Sequence, residues 1–218
     1  NGNGGEIVVW GDQIARVHGK LAARGGASGG NGGFIETSGG QIDVRGAPDV
    51  NAPAGNGGEW LIDPTNITIN NCCTTNVIVV GGGLCFNAGA PPANILVGDL
   101  RAGLCGGNTV TVRTTTGCGA CAGDINWVGG ANLDFNGVGA ATLRFEANNA
   151  ISIASQIFDS VAGGDTLSVF LLGPVGGSAG GAITVTAAMS LGGGSFFADG
   201  ASFTNTAGAI SSGGGSIC

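Results

Sequence analysis

Thiols, carboxylates, one imidazole and one asparagine sequon are the groups in this chain whose types and spacing could do chemistry. Seven cysteines are present, and six of them (Cys72, Cys73, Cys85, Cys105, Cys118 and Cys121) fall in one stretch. Cys118-Gly119-Ala120-Cys121 has the spacing of half a zinc site, but a closed site needs a second close pair or a histidine pair. The single histidine, His18, is far away in sequence. A redox dithiol would sit in a thioredoxin-like βαβ pattern, which does not surround these residues. Clustered thiols without a metal or redox use point to disulfides and an oxidising compartment. The six clustered cysteines are therefore disulfide candidates, and their pairing is open. The odd count leaves Cys218, at the last position, as the unpaired or intermolecular candidate.

The carboxylates Asp12, Glu36, Asp43 and Glu59 lie on successive strand-like runs, where stacking would bring acids together as in sugar-cleaving enzymes. With fourteen acids in the chain some alignment is expected by chance, and the blander expectation is solvated, outward-facing side chains. There is no tyrosine, and Trp10, Trp60 and Trp127 are scattered, so no aromatic sugar platform is evident. His18 reads as a surface strand residue without an identifiable partner. Asn66-Ile67-Thr68 is a glycosylation sequon, of a kind that also arises by chance. The glycine-rich tetrads lack the Lys-Ser/Thr of a phosphate loop and read as turns. No catalytic set, cofactor site or metal site is expected.

The elements that must position these residues are short. Glycine supplies 47 of 218 residues, against an ordinary share of about 7%. Six prolines and the lack of a three-residue period exclude collagen. A chain that is 43% hydrophobic and 10% charged is not a disordered one. A net charge of −7 with seven scattered Lys and Arg excludes a duplex nucleic-acid binder. No apolar run reaches the roughly 18 residues that would suggest a membrane helix. The start at Asn1 shows no signal-peptide pattern, so the chain reads as a piece of something longer.

Gly-Asn-Gly-Gly occurs at Gly2, Gly30 and Gly55, spacings of 28 and 25, each time before a strand-like run. Gly181-Ala182-Ile183 recurs at Gly208, and Gly192-Gly193-Gly194 at Gly213. Strands of this length cannot form an independent sheet, but stacked repeats can bury a continuous core. The fold expected is all-β, a right-handed parallel β-helix with a cysteine-rich elaborated segment. Eight to ten coils at the usual strand spacing would span roughly 40 Å. Residues 1–70 and 123–218 would be coils, and 71–122 the cysteine-rich insertion. An antiparallel sandwich, with Asn136-Gly137 as a hairpin turn, is the alternative.

Two segments resemble a known family. Gly30-Asn31-Gly32-Gly33-Phe34-Ile35-Glu36-Thr37-Ser38-Gly39 and Trp60-Leu61-Ile62-Asp63-Pro64-Thr65-Asn66-Ile67-Thr68-Ile69 are similar to the recurring segments of filamentous haemagglutinins and high-molecular-weight adhesins. The resemblance covers roughly residues 2–70, and more loosely 123–218. It implies a two-partner-secreted exoprotein, passed through an outer-membrane barrel transporter and placed at the bacterial cell surface. Its role would be adhesion, biofilm or filament formation, its partners a host or neighbouring cell surface or copies of itself. The cysteine cluster departs from the family's pattern, since early disulfides hinder passage of an unfolded chain. A polysaccharide-acting enzyme and a self-assembling filament subunit are the alternatives.

Overall fold

Close approach of backbone to backbone explains the glycine tetrads. A Cβ on Gly33 would stand 2.0 Å from the carbonyl oxygen of Gly5, one repeat earlier. Only glycine lets the two segments lie against each other there. The apolar runs that follow each tetrad then fall side by side.

The computed structural model describes residues 1–71, 93–115, 122–173 and 181–218. Its elements are β1 (Glu6–Val17), β2 (Phe34–Val44), β3 (Glu59–Pro64), β4 (Ile67–Asn70), β5 (Ala93–Leu96), α1 (Val97–Leu104), β6 (Thr109–Arg113), β7 (Ile125–Trp127), β8 (Leu133–Asp134) and β9 (Ala140–Glu146). They continue with β10 (Ile151–Ile153), β11 (Ile157–Phe158), β12 (Thr166–Leu172), β13 (Ala182–Val185), β14 (Met189–Ser190), β15 (Phe196–Asp199), β16 (Ser202–Asn205) and β17 (Ile210–Ser211).

Hydrogen bonding gathers the strands into three sheets, with orders β1-β2-β3-β6-β9-β12-β15, β16-β13-β10-β7-β4-β5 and β17-β14-β11-β8. Every pairing of these strands is parallel. From β7 onward the chain visits the six-, four- and seven-stranded sheets in rotation.

These sheets correct the expected right-handed parallel β-helix with a cysteine-rich elaborated segment. The structure is three parallel sheets of seven, six and four strands, none closed on itself. β1, β2 and β3 follow one another within a single sheet, where an even winding would place strands in all three on each pass. The physical reason is that a repeat spacing fixes which strands pair, while the lengths and limits of the sheets depend on the residues between repeats. Residues 18–33 and 45–58 are rich in glycine, alanine and asparagine and contribute only the isolated bridge between Ala22 and Asp49. The parallel pairing equally excludes the antiparallel sandwich.

Part of the segment read as an insertion is regular. β5 and β6 belong to the six- and seven-stranded sheets, and α1 lies between them in sequence. The helix was not anticipated, although Val97, Leu100 and Leu104 have helical spacing. Leu100 and Leu104 are fully buried. A Cβ on Gly103 would meet the Trp60 ring at 2.9 Å, so the helix backbone sits close against that indole.

One core cluster joins all three sheets. Its columns are set by register: Ile35, Trp60, Val110, Leu143 and Val169 across the first sheet, Ile67, Ile125, Ile151 and Ile183 across the second, Leu133, Ile157 and Met189 across the third. Trp60 is wholly buried, and its indole N–H donates to Thr37 Oγ1 at 3.1 Å. Trp60→Ala is expected to cost about 3–5 kcal/mol through the lost burial and the cavity left behind. Urea unfolding followed by circular dichroism would read this as a lowered midpoint.

Candidate functional site on the outer face of the seven-stranded sheet

Alternate residues of β1, β2, β3, β6 and β9 enter the core, so the intervening ones line the opposite face. Parallel register turns these into rows across the strands. One row holds Glu6, Phe34, Glu59 and Thr109, and the next holds Val8, Glu36, Leu61, Thr111, Arg144 and Phe170. A third begins Trp10, Ser38 and Asp63, and in line with it Arg113 pairs with Glu146.

The polar groups of this face hold one another. Ser38 Oγ donates to Glu36 Oε1 at 2.5 Å, and Thr111 Oγ1 donates to Glu59 Oε1 at 2.6 Å. Arg113 reaches Glu146 Oε2 through Nε and Nη2, both at 2.7 Å, while Arg144 Nε donates to the other oxygen. Burial by itself would raise the Glu146 pKa, but the hydrogen bonds from Arg144 and Arg113 outweigh it and hold the carboxyl below its ordinary value. Asp63 is the opposite case. It is 9% exposed and its Oδ1 has no hydrogen-bond partner. Burial, reinforced by the charges of Glu36 and Glu146 and opposed by Arg113, pushes its pKa up to about 6. The face thus carries a fixed anion clamped between two guanidiniums and a carboxyl that keeps its proton into mildly acidic solution.

Of the four acids singled out from sequence, Glu36 and Glu59 come together on neighbouring strands of this face. Asp12 does not join them. It accepts from the Trp10 indole N–H at 2.9 Å, where the β1–β2 register shifts between Gly11 and Ile14. Asp43 lies toward the far end of β2 and is 2% exposed, which corrects its reading as a solvated acid. Its Oδ2 lies 2.8 Å from His18 Nε2, so His18 does have a partner, and Arg45 Nε is 3.8 Å from Oδ1.

Asn66 serves as a brace. Its Oδ1 accepts the backbone N–H groups of Gly123 and Asp124 at 2.8 and 2.7 Å, fixing the turn that leads into β7. Cys105 is free and half-buried, its thiol directed at the Arg101 carbonyl at 3.4 Å, and Cys218 is free and exposed. Among the described residues there is no disulfide, so the expected pairing of Cys105 has no support there. Cys72, Cys73, Cys85, Cys118 and Cys121 lie outside the described residues. Among the described residues no three His, Cys, Asp or Glu side chains are grouped to hold a metal ion. No helix among them is long and apolar enough to cross a membrane.

Sequence reasoning missed Asp63, Arg113, Arg144 and Glu146. The alternation in Thr109-Val110-Thr111-Val112-Arg113 and in Leu143-Arg144-Phe145-Glu146 places the charged residues on one face of each strand. Only the pairing register shows that they meet. No family model matches the chain, and no curated protein matches it.

Because the folded-state pKa of Asp63, about 6, lies above that of an ordinary aspartate, the folded state binds more protons than the unfolded one between about pH 4 and 6. Stability should therefore fall as pH rises through that window. The rise of about two units corresponds to at most about 3 kcal/mol. Asp63→Asn should flatten this part of the profile and raise stability at pH 7.5, as measured by chemical unfolding at a series of pH values. A second expectation concerns the brace. Asn66→Ala leaves two backbone N–H groups without an acceptor and should cost about 1–3 kcal/mol in the same assay.

Proposed function

We propose that this chain is a structural and adhesive segment of a secreted bacterial surface protein of the filamentous-haemagglutinin type, acting outside the cell by contact rather than catalysis. Its partners would be a host or neighbouring cell surface, or further copies of itself. Export through an outer-membrane barrel transporter belongs to the same reading.

The observation that carries the proposal is the pair of exposed apolar side chains, Val8 and Trp10, on edge strand β1 of the seven-stranded sheet. Parallel sheets are usually covered on both faces. Here one face closes the core; on the other Ser38, Leu61, Asp63, Thr111 and Glu146 are buried, while edge strand β1 presents Trp10 at 63% exposure and Val8 at 51% beside self-bonded acids, hydroxyls and arginines. Exposed aromatic and aliphatic side chains beside a fixed polar pattern suit a contact surface. The carboxylates are engaged with hydroxyls and guanidiniums of the same face, as suits a rigid surface.

The test is attachment of the fluorescently labelled chain to epithelial cells and to bacteria. The double variant Val8→Ser, Trp10→Ala should attach several-fold less well while keeping its unfolding free energy to within about 0.5 kcal/mol, since both side chains are largely exposed. Equal attachment by the variant would refute the proposed contact surface.

Asp63 favours a second reading, a polysaccharide-acting enzyme. A carboxyl whose pKa burial raises to about 6 has the protonation, though at 9% exposure not the access, of a general acid. Release of reducing ends from a polysaccharide panel, abolished by Asp63→Asn, would establish that reading against the first.

A further inference from the structure

The Asn-Gly-Gly portions of the three tetrads form the floor of an open cleft of about 630 Å³ at the starts of β1, β2 and β3. Its lining includes Asn3, Asn31, Asn56, Glu6, Phe34 and Glu59. We infer that this cleft binds an uncharged hexose oligosaccharide laid across the strands. The inference rests on the adhesive reading above and gives it a ligand.

The asparagines are oriented by the fold. The backbone N–H of Asn31 donates to Asn3 Oδ1 at 2.9 Å, and that of Asn56 donates to Asn31 Oδ1 at 3.0 Å. Only an oxygen can accept these bonds, so the amide orientation of Asn3 and Asn31 is settled and their Nδ2 groups point away from the ladder. All three side chains belong to exposed residues. They repeat at the strand spacing of about 4.8 Å, giving a row of hydrogen-bond donors.

Acceptors and an apolar platform stand beside that row. Glu6, Phe34 and Glu59 occupy one register position on three successive strands, so a phenyl ring lies between two carboxylates. Thr111 orients Glu59 through its 2.6 Å bond. Gly4, Gly32 and Gly57 line the cleft, their close backbone packing making its floor main chain. A pyranose has the matching chemistry, with an apolar C–H face for the ring and hydroxyls that both donate to carboxylates and accept from amides.

Charge selects among sugars. No Lys or Arg lines the cleft, two carboxylates do, and the whole chain carries −7. An anionic glycan is repelled. The aromatic ring in the cleft is that of Phe34. The volume falls within the ordinary range for small-molecule sites, about 300–1,000 Å³.

Calorimetric titration of the full chain with cellohexaose, mannohexaose, chitohexaose, hexagalacturonate and hexalysine tests the inference. At least one neutral hexasaccharide should bind, and hexagalacturonate should not. Phe34→Ala should weaken binding by about tenfold, the loss expected for one stacking ring. Asn31→Asp keeps the acceptor that Asn56 uses and removes the outward donor, so it should also weaken binding with the fold intact by circular dichroism. Silence with all three neutral sugars at millimolar concentration overturns the inference. So does binding that both variants leave unchanged, or a preference for hexagalacturonate or hexalysine. Attachment that depends on Trp10 while the titrations stay silent removes the cleft and leaves the adhesive surface standing. Sugar binding without attachment does the reverse.

Discussion

Apolar side chains lying one above another in register, strand after strand, are the constraint on which the rest of this protein depends. The strands are two to twelve residues long, and of the shortest β8, β11 and β14 contribute one buried side chain each. None would hold alone in water. Ile35, Trp60, Val110, Leu143 and Val169 make one column, and the columns of the other two sheets meet it in a single core cluster. A shift of one residue in any pairing would turn the buried set outward and carry the polar row inward. The inner column therefore fixes the outer face, and the placing of Glu36, Asp63, Arg113 and Glu146 is a by-product of what the core requires.

Several features were legible because they depend on neighbours in sequence. The apolar runs beginning at Glu6, Phe34 and Glu59 are strands, and β6 and β10 have the bounds their alternation suggests. The tetrads mark where segments approach, which follows from glycine's lack of a Cβ. The extent of the sheets was not legible. Nothing in the tetrad spacing says that β1 runs on through Gly11 to Val17, or that residues 18–33 add only an isolated bridge. The helix α1 has its spacing written in Val97, Leu100 and Leu104, but it stands within a segment dominated by cysteines and prolines.

The site was legible only in part, for a related reason. Glu36 and Glu59 could be proposed together because each follows a tetrad by a few residues, so their offset is countable. Arg113 and Glu146 are 33 residues apart with no repeat between them to count by. Asp63 looked like an ordinary acid before a proline. Its character comes from burial and from Glu36 and Glu146 across the face, none of which is local. His18 and Asp43 are likewise joined across 25 residues, through the parallel pairing that sets Arg16 beside Asp43.

The clamp of Glu146 between Arg113 and Arg144 joins side chains from adjacent strands and binds no backbone. The exposed outward positions, such as Val8 and Trp10 on β1, are in this sense separate rungs whose side chains can be exchanged while the backbone ladder and the inner column stay as they are. Such a face can be rewritten one rung at a time, so that a lineage of these proteins could change what it touches without relearning how to fold. Variation should then gather on the outward rows and spare the glycines between them, because a methyl group at Gly33 would collide with the repeat before it.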